Sequence, residues 1–172
     1  MVQKATLLKH AYELLDNVTP LKFNCGVLCG AKCCKSHSTN STENPGMLLL
    51  PQEDSMMDCS HYDMKDSGDG KILVCNGKCN REMRPFSCRI FPFYARISSD
   101  ERISLRVDPR AFNICPVALK KKGARHSVHF HRNATRAIRI LMKDNDFKRE
   151  LIKTSEFCDG LYSFYRKILK ER

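Results

Sequence analysis

Six of the ten cysteines in this 172-residue chain fall into two short groups, and two more follow singly. Cys25, Cys29, Cys33 and Cys34 put four thiols within ten residues, Cys75 and Cys79 share a C-x3-C spacing, and Cys88 and then Cys115 follow. Thiolates bind soft or borderline ions such as zinc and iron, and closely spaced pairs in glycine-containing turns let the backbone wrap an ion while its N–H groups support the sulfurs. Gly26, Gly30 and Gly77 supply that freedom here. Cys33 and Cys34 are adjacent, and neighbouring side chains diverge on a helix and point to opposite faces of a strand. One tetrahedral ion therefore takes both poorly. The pair predicts two four-thiol sites lying close together, with the N-terminal run shared between them.

Other chemistries for these thiols fit less well. Cysteines acting only as small hydrophobes belong in apolar stripes, and these sit among Gly, Lys and Asn. Structural disulfides need an oxidising compartment, for which the sequence carries no address. A thioredoxin-like site needs C-x-x-C, which is absent. Metal binding is the preferred reading, zinc ahead of iron or an iron–sulfur cluster. Arg89, beside Cys88, is placed to offset thiolate charge and to donate hydrogen bonds to sulfur. Arg84 is a weaker candidate for the same task. Cys59 with His61, and Glu53, are minor candidates for further ligands. His129 and His131 would share a face if that segment were a strand, with His126 nearby. Cys158 reads as a buried thiol flanking the last helix. No nucleophile–base pair, P-loop or dinucleotide motif is present, so no catalytic residue is assigned and the reading leans away from an enzyme.

Cys25 to Cys34, then Cys79-Asn-Arg-Glu-Met-Arg-Pro-Phe-Ser-Cys88-Arg-Ile-Phe-Pro-Phe, then Asp108-Pro-Arg-Ala before Cys115-Pro116, resembles the YkgJ-like cysteine-cluster family, described as chelating zinc or iron. The similarity covers about residues 25 to 119, and its most specific element is the Arg84-Pro-x-x-Cys88-Arg-x-Phe-Pro92 stretch. The resemblance implies metal binding through Cys25, Cys29, Cys33, Cys34, Cys79, Cys88 and Cys115. Cys75 joins that set on its spacing alone. The family's commonest opening, C-x2-C-x2-C-C, is replaced here by three-residue gaps, and a cysteine that many members carry just before the Arg-Pro dipeptide is missing.

Something must hold these groups in place. Leu7, Leu8, Ala11, Tyr12, Leu14 and Leu15 predict an amphipathic helix over Gln3 to Asp16, stopped by Asn17 and Pro20. From Cys25 to Pro116 the helical period is lost, and short strands are expected at Met47–Leu50, Lys71–Cys75, Tyr94–Ser98 and Arg102–Val107, the last two as a hairpin. Ser67-Gly68-Asp69-Gly70 reads as a tight turn, and Ser36 to Asn44 as a polar, mobile stretch. Helices return at Thr135 to Asp144 and Asp146 to Lys153, followed by a final helix whose Leu161, Phe164, Tyr165, Ile168 and Leu169 form a core-facing stripe. The fold class is α+β: a small, loop-rich, metal-stapled core with short strands, flanked by an N-terminal helix and C-terminal helices. All 172 residues are expected in one domain, with the metal-binding core at about 25–119 and a basic helical part at about 120–172.

Net charge is +11. Residues 120–172 hold 15 basic and 6 acidic groups, so the charge lies mostly in the tail, which starts with Lys120-Lys121-Lys122. The tail has no base-reading signature, so a solvated face is preferred over a nucleic-acid footprint. No apolar run approaches the roughly 20 residues that span a bilayer. The first residues lack a secretory h-region, and a cytoplasmic protein with metal ions as its partners is expected.

Overall fold

The computed structural model describes residues 2–21, 30–35, 46–57, 62–68, 70–74, 82–119 and 127–170. In chain order these form α1 (Val2–Glu13), a single turn α2 (Lys32–Lys35), β1 (Gly46–Leu48), a 3-10 turn at Asp54–Met56, β2 (Asp63–Ser67), β3 (Gly70–Val74), α3 (Phe86–Ile90), β4 (Phe93–Ile97), β5 (Ile103–Val107), a 3-10 turn at Pro109–Ala111, α4 (Val128–Leu141) and α5 (Asn145–Lys170). The chain is α+β.

The main core joins the N-terminal helix to the tail. Leu8, Ala11 and Leu15 of the α1 region pack with Phe130, Ala134, Ala137, Ile138 and Leu141 of α4, with Phe147 and Leu151 of α5, and with Phe86, Ile90, Phe93 and Ala95 between them. Each large apolar side chain withdrawn in this way stabilises the fold by about 1.5–3 kcal/mol. Polar ties fix the same elements. Lys4 pairs with Asp146 at the start of α5. The Asn133 amide donates to the Leu14 carbonyl at 2.9 Å.

Two antiparallel sheets carry the middle of the chain. One has the strand order β1-β3-β2 and the other is the β4–β5 hairpin, with Phe93 opposite Val107 and Ile97 opposite Ile103. In the first sheet Gly46 lies so close to β3 that a Cβ there would stand 2.3 Å from Ile72 Cγ2 and 2.5 Å from the Leu73 carbonyl oxygen. Only glycine fits that contact. β2 pairs along its whole length with β3 through the expected turn, Ser67 opposite Gly70. Its sequence, Asp-Met-Lys-Asp-Ser, carries no apolar alternation to announce a strand. Charged side chains on an edge strand also discourage pairing with another chain.

The tail departs from expectation in three ways. First, α4 starts at Val128, seven residues before Thr135, because Ser127 caps it: the Ser127 hydroxyl accepts from the Phe130 N–H at 3.2 Å. Its buried face uses the small residues Ala134 and Ala137, which weakens the apolar signal. Second, Asp144 does mark a break, its carboxylate accepting from the N–H groups of Asp146 and Phe147 at 2.9 and 3.2 Å. Beyond it, however, a single 26-residue helix runs to Lys170. Gly160 lies inside it in open space and lowers helix propensity without ending the helix. Third, the stripe expected to face the core does not: Phe164 is 58% exposed, and Tyr165 and Ile168 are also exposed. The helix runs past the hairpin that covers its first half, and the Leu169 side chain lies outside the described residues.

The first half of α5 is docked by specific groups. Asp159 accepts from the Tyr94 hydroxyl at 2.8 Å and from Arg96 Nε at 3.0 Å. Ser155 accepts from the Ile97 N–H at 3.0 Å, and the Tyr162 hydroxyl donates to the Val107 carbonyl at 2.7 Å.

Candidate metal centre

Cys25, Cys29, Cys75 and Cys79 lie outside the described residues, as do the side chain of Cys34 and the minor candidates Cys59, His61 and His126. Cys33 lies in α2 and is partly exposed, Cys88 is partly buried in α3, and Cys115 is buried just after the second 3-10 turn. Cys33, Cys88, Cys115 and Cys158 carry thiols and are not joined in disulfides. Among the described residues no three His, Cys, Asp or Glu side chains come together in a group that could hold a metal ion. The described donors are soft sulfurs in short helices and turns, which is the chemistry that zinc or iron takes. Cys115 also belongs to a small apolar cluster with Leu21, Ala111, Val117 and Ala118.

The surroundings of Cys88 are the most built part of this region. The helix bearing it has five residues, too short to be stable through its own hydrogen bonds, and a buried polar network holds it. Glu53 is wholly buried. Its Oε1 accepts from the Phe86 N–H at the start of α3, at 2.5 Å, and from the Tyr12 hydroxyl of α1, while Oε2 accepts from the Leu50 N–H at 2.8 Å. One carboxylate therefore joins α1, the turn after β1 and the Cys88 helix. Burial pushes the Glu53 carboxyl above its ordinary range, against the opposing pull of the Tyr12, Phe86 and Leu50 donors and of Arg89. Burial and the neighbouring Glu53 charge push the Tyr12 hydroxyl upward as well. With its oxygens taken up by these donors, Glu53 acts as a structural staple.

Arg89 completes the network. It is buried, and its guanidinium donates from Nε to the Arg84 carbonyl at 2.7 Å, from Nη2 to the Glu82 carbonyl at 2.6 Å and from Nη1 to Asp16 at 2.5 Å. It also stacks over the Tyr12 ring at 4.1 Å, a favourable cation–π arrangement. The two carbonyls belong to the stretch leading from Cys79 to Cys88. Arg89 thus sets the backbone on the N-terminal side of Cys88. Nothing in the sequence marks Tyr12 and Asp16 as partners, because one lies in an apolar stripe and the other at a helix end.

Asp108 and Arg110 have an equally local task. Asp108 is buried, accepts from the Arg110 N–H at 2.9 Å, and forms a two-pronged pair with the Arg110 guanidinium, Nε to Oδ1 at 2.9 Å and Nη2 to Oδ2 at 2.6 Å. This pair caps the 3-10 turn that leads into Cys115. Cys158 is buried, as expected, but within α5 and not ahead of a separate helix. Burial, with Asp108 beside it, pushes its thiol up to about 12. Its surroundings favour the neutral thiol.

The histidine reading is corrected. His129 and His131 lie on α4, not on a strand, and two residues apart on a helix they diverge by about 200°. His129 is exposed, while His131 packs edge-on against Phe93 at 4.7 Å. They do not converge on an ion. Among the described residues no helix is long and apolar enough to cross a membrane. No family model, curated protein or solved structure matches the chain.

Proposed function

We propose that the protein binds zinc through two clusters of cysteine thiolates, with Cys25, Cys29, Cys33 and Cys34 shared between them and Cys75, Cys79, Cys88 and Cys115 supplying the remaining positions. The carrying observation is the crowding of six cysteines into two short glycine-containing segments, 25–34 and 75–79, with Cys88 and Cys115 following singly. The buried network of Tyr12, Glu53 and Arg89 supports this reading. A wholly buried carboxylate and a buried guanidinium are expensive to desolvate, and here they fix one short helix bearing a candidate ligand. Outer-shell groups at metal sites perform that task. Zinc bound in this way would offset half of the thiolates' charge and stabilise the middle of the chain, a structural or metal-handling role.

The test is chelation. Structural zinc contributes on the order of 10–16 kcal/mol in small peptides, against domain stabilities of about 5–15 kcal/mol. Stripping the metal should abolish the near-UV dichroism of the aromatic residues around Cys88 and Cys115, and adding zinc back should restore it. An unchanged spectrum in fully metal-free protein would defeat the proposal. Brown, oxygen-sensitive material would transfer the same ligands to an iron–sulfur cluster.

A further inference from the structure

The basic charge of the tail is organised on one element. Arg132, Arg136, Arg139 and Lys143 follow one another along α4 and the turn after it at spacings of four, three and four residues. At 100° per residue they stay within about 60° of one another on a single helix face. All four are exposed, and exposed His129 continues the row toward the N-terminus. The opposite face, with Phe130, Ala134, Ala137, Ile138 and Leu141, is buried in the core.

Several cations elsewhere on the surface are matched with acids. Lys4 and Arg149 pair with Asp146, Lys148 with Glu101, Arg96 with Asp159, and Lys71 with Asp54. Val128–Leu141 contains no acidic residue at all. Among the described residues none of the four cations in the row meets a carboxylate within ion-pair distance. Like charges at i, i+4 repel along a helix, so this row works against helix stability. At its C-terminal end a shallow cleft of about 520 Å³ lies where Arg139, Met142 and Lys143 face Glu101, Arg102 and Ile103 at the hairpin tip. Arg102, already paired with Asp100, adds a further exposed cation there.

We infer that this face of α4 binds the phosphodiester backbone of nucleic acid, without regard to sequence. Arg132 to Lys143 span about 16 Å along the axis, which matches about five phosphates of one duplex strand at 3.4 Å each. Three of the four cations are arginines, whose forked donors suit phosphate oxygens. A second copy of the chain would bring like charge against like. Stable anchoring of a helix in a lipid surface calls for an apolar face to insert, and the apolar face of α4 is buried within the protein, so only electrostatic adhesion to anionic headgroups would remain. The inference is independent of the metal proposal, since it rests on no cysteine.

The experiment measures binding of the full-length protein, as purified, to a labelled random-sequence duplex of about 20 base pairs between about 50 and about 200 mM salt. Four phosphate contacts predict a log–log salt slope of about −3.6, so affinity falls about 150-fold over that range. The variant R132Q/R136Q/R139Q/K143Q should lose that slope. Replacing the three arginines by lysine, which keeps the charge, should retain most of it, and Lys148→Gln, outside the row, should change the slope by less than one contact's share of about 0.9. Helical dichroism should be unchanged throughout, because every altered side chain in the row faces solvent. A glutamine variant that is folded and binds with the wild-type slope would overturn the inference. So would absence of duplex binding at the lowest salt, or row-dependent capture by anionic vesicles or polyglutamate in place of duplex.

Discussion

Replacing Glu53 by alanine orphans three donors at once. The N–H groups of Leu50 and Phe86, both buried, lose their acceptor, and the half-buried Tyr12 hydroxyl loses its own. A buried donor left unsatisfied costs about 1–3 kcal/mol. Counting the two backbone donors fully and the hydroxyl in part, the loss is about 3–6 kcal/mol, a large share of the roughly 5–15 kcal/mol that holds a domain together. In a chain of this size that lowers the melting temperature by roughly 10–20 °C. Glutamine keeps the shape and one acceptor oxygen. That oxygen can still receive Tyr12 and Phe86, while the amide N–H groups oppose the Leu50 N–H, so Glu53→Gln should cost about 1–3 kcal/mol. The sign with pH is also fixed. Burial raises the Glu53 carboxyl in the folded state above its usual 4.5, so between these values the native state keeps a proton that the unfolded chain has shed. The stability contributed by this group is fully present below the unfolded pKa and is lost as pH rises through the folded one. The glutamine variant has no such loss, and its deficit relative to wild type should shrink as pH rises through that window. Urea denaturation followed by far-UV dichroism at several pH values reads both effects. An alanine variant destabilised by less than about 1 kcal/mol, or a glutamine deficit that grows with pH, would refute the reasoning.

Further outcomes follow from burial and docking. Phe130→Ala should cost about 3–5 kcal/mol because Phe130 is fully enclosed, whereas Phe164→Ala should stay within about 0.5 kcal/mol because its ring is largely exposed; chemical denaturation compares the two. Asp159→Ala should destabilise the protein by about 1–3 kcal/mol, since the Tyr94 hydroxyl and Arg96 lose their acceptor, with hydrogen exchange accelerating first in α5. If Cys33 and Cys34 serve different ions, Cys33→Ser and Cys34→Ser should each weaken a different one of about two bound zinc ions, as read by metal titration. Acidification should release metal, because the ligands bind as thiolates.

The legible parts of the fold were those where the local pattern and the tertiary partner agree. Leu8, Ala11 and Leu15 mark the buried face of α1, and Ile103, Leu105 and Val107 alternate along β5 opposite β4. β2 escaped notice because a charged edge strand has no apolar face to display. The start of α4 was hidden by the small residues Ala134 and Ala137 and by the β-favouring look of Val128-His-Phe-His, although the Ser127 cap was there to be read. The stripe from Leu161 to Ile168 shows the reverse case: helical periodicity says that a face exists, not that anything covers it. At the candidate centre the cysteines were visible from their spacing, whereas the Tyr12–Glu53–Arg89 network was not, since its members lie 77 positions apart from end to end in the sequence and only the fold brings them together.

The most direct test of cysteine-held metal is elemental analysis of the full-length protein purified without oxygen and without added metal, with its visible absorption recorded on the same sample. The account predicts colourless protein carrying about two zinc ions per chain, with zinc released in step as the cysteine thiols are titrated with a thiol-reactive reagent. Folded protein with no stoichiometric metal, whose cysteines titrate without releasing any, would contradict it.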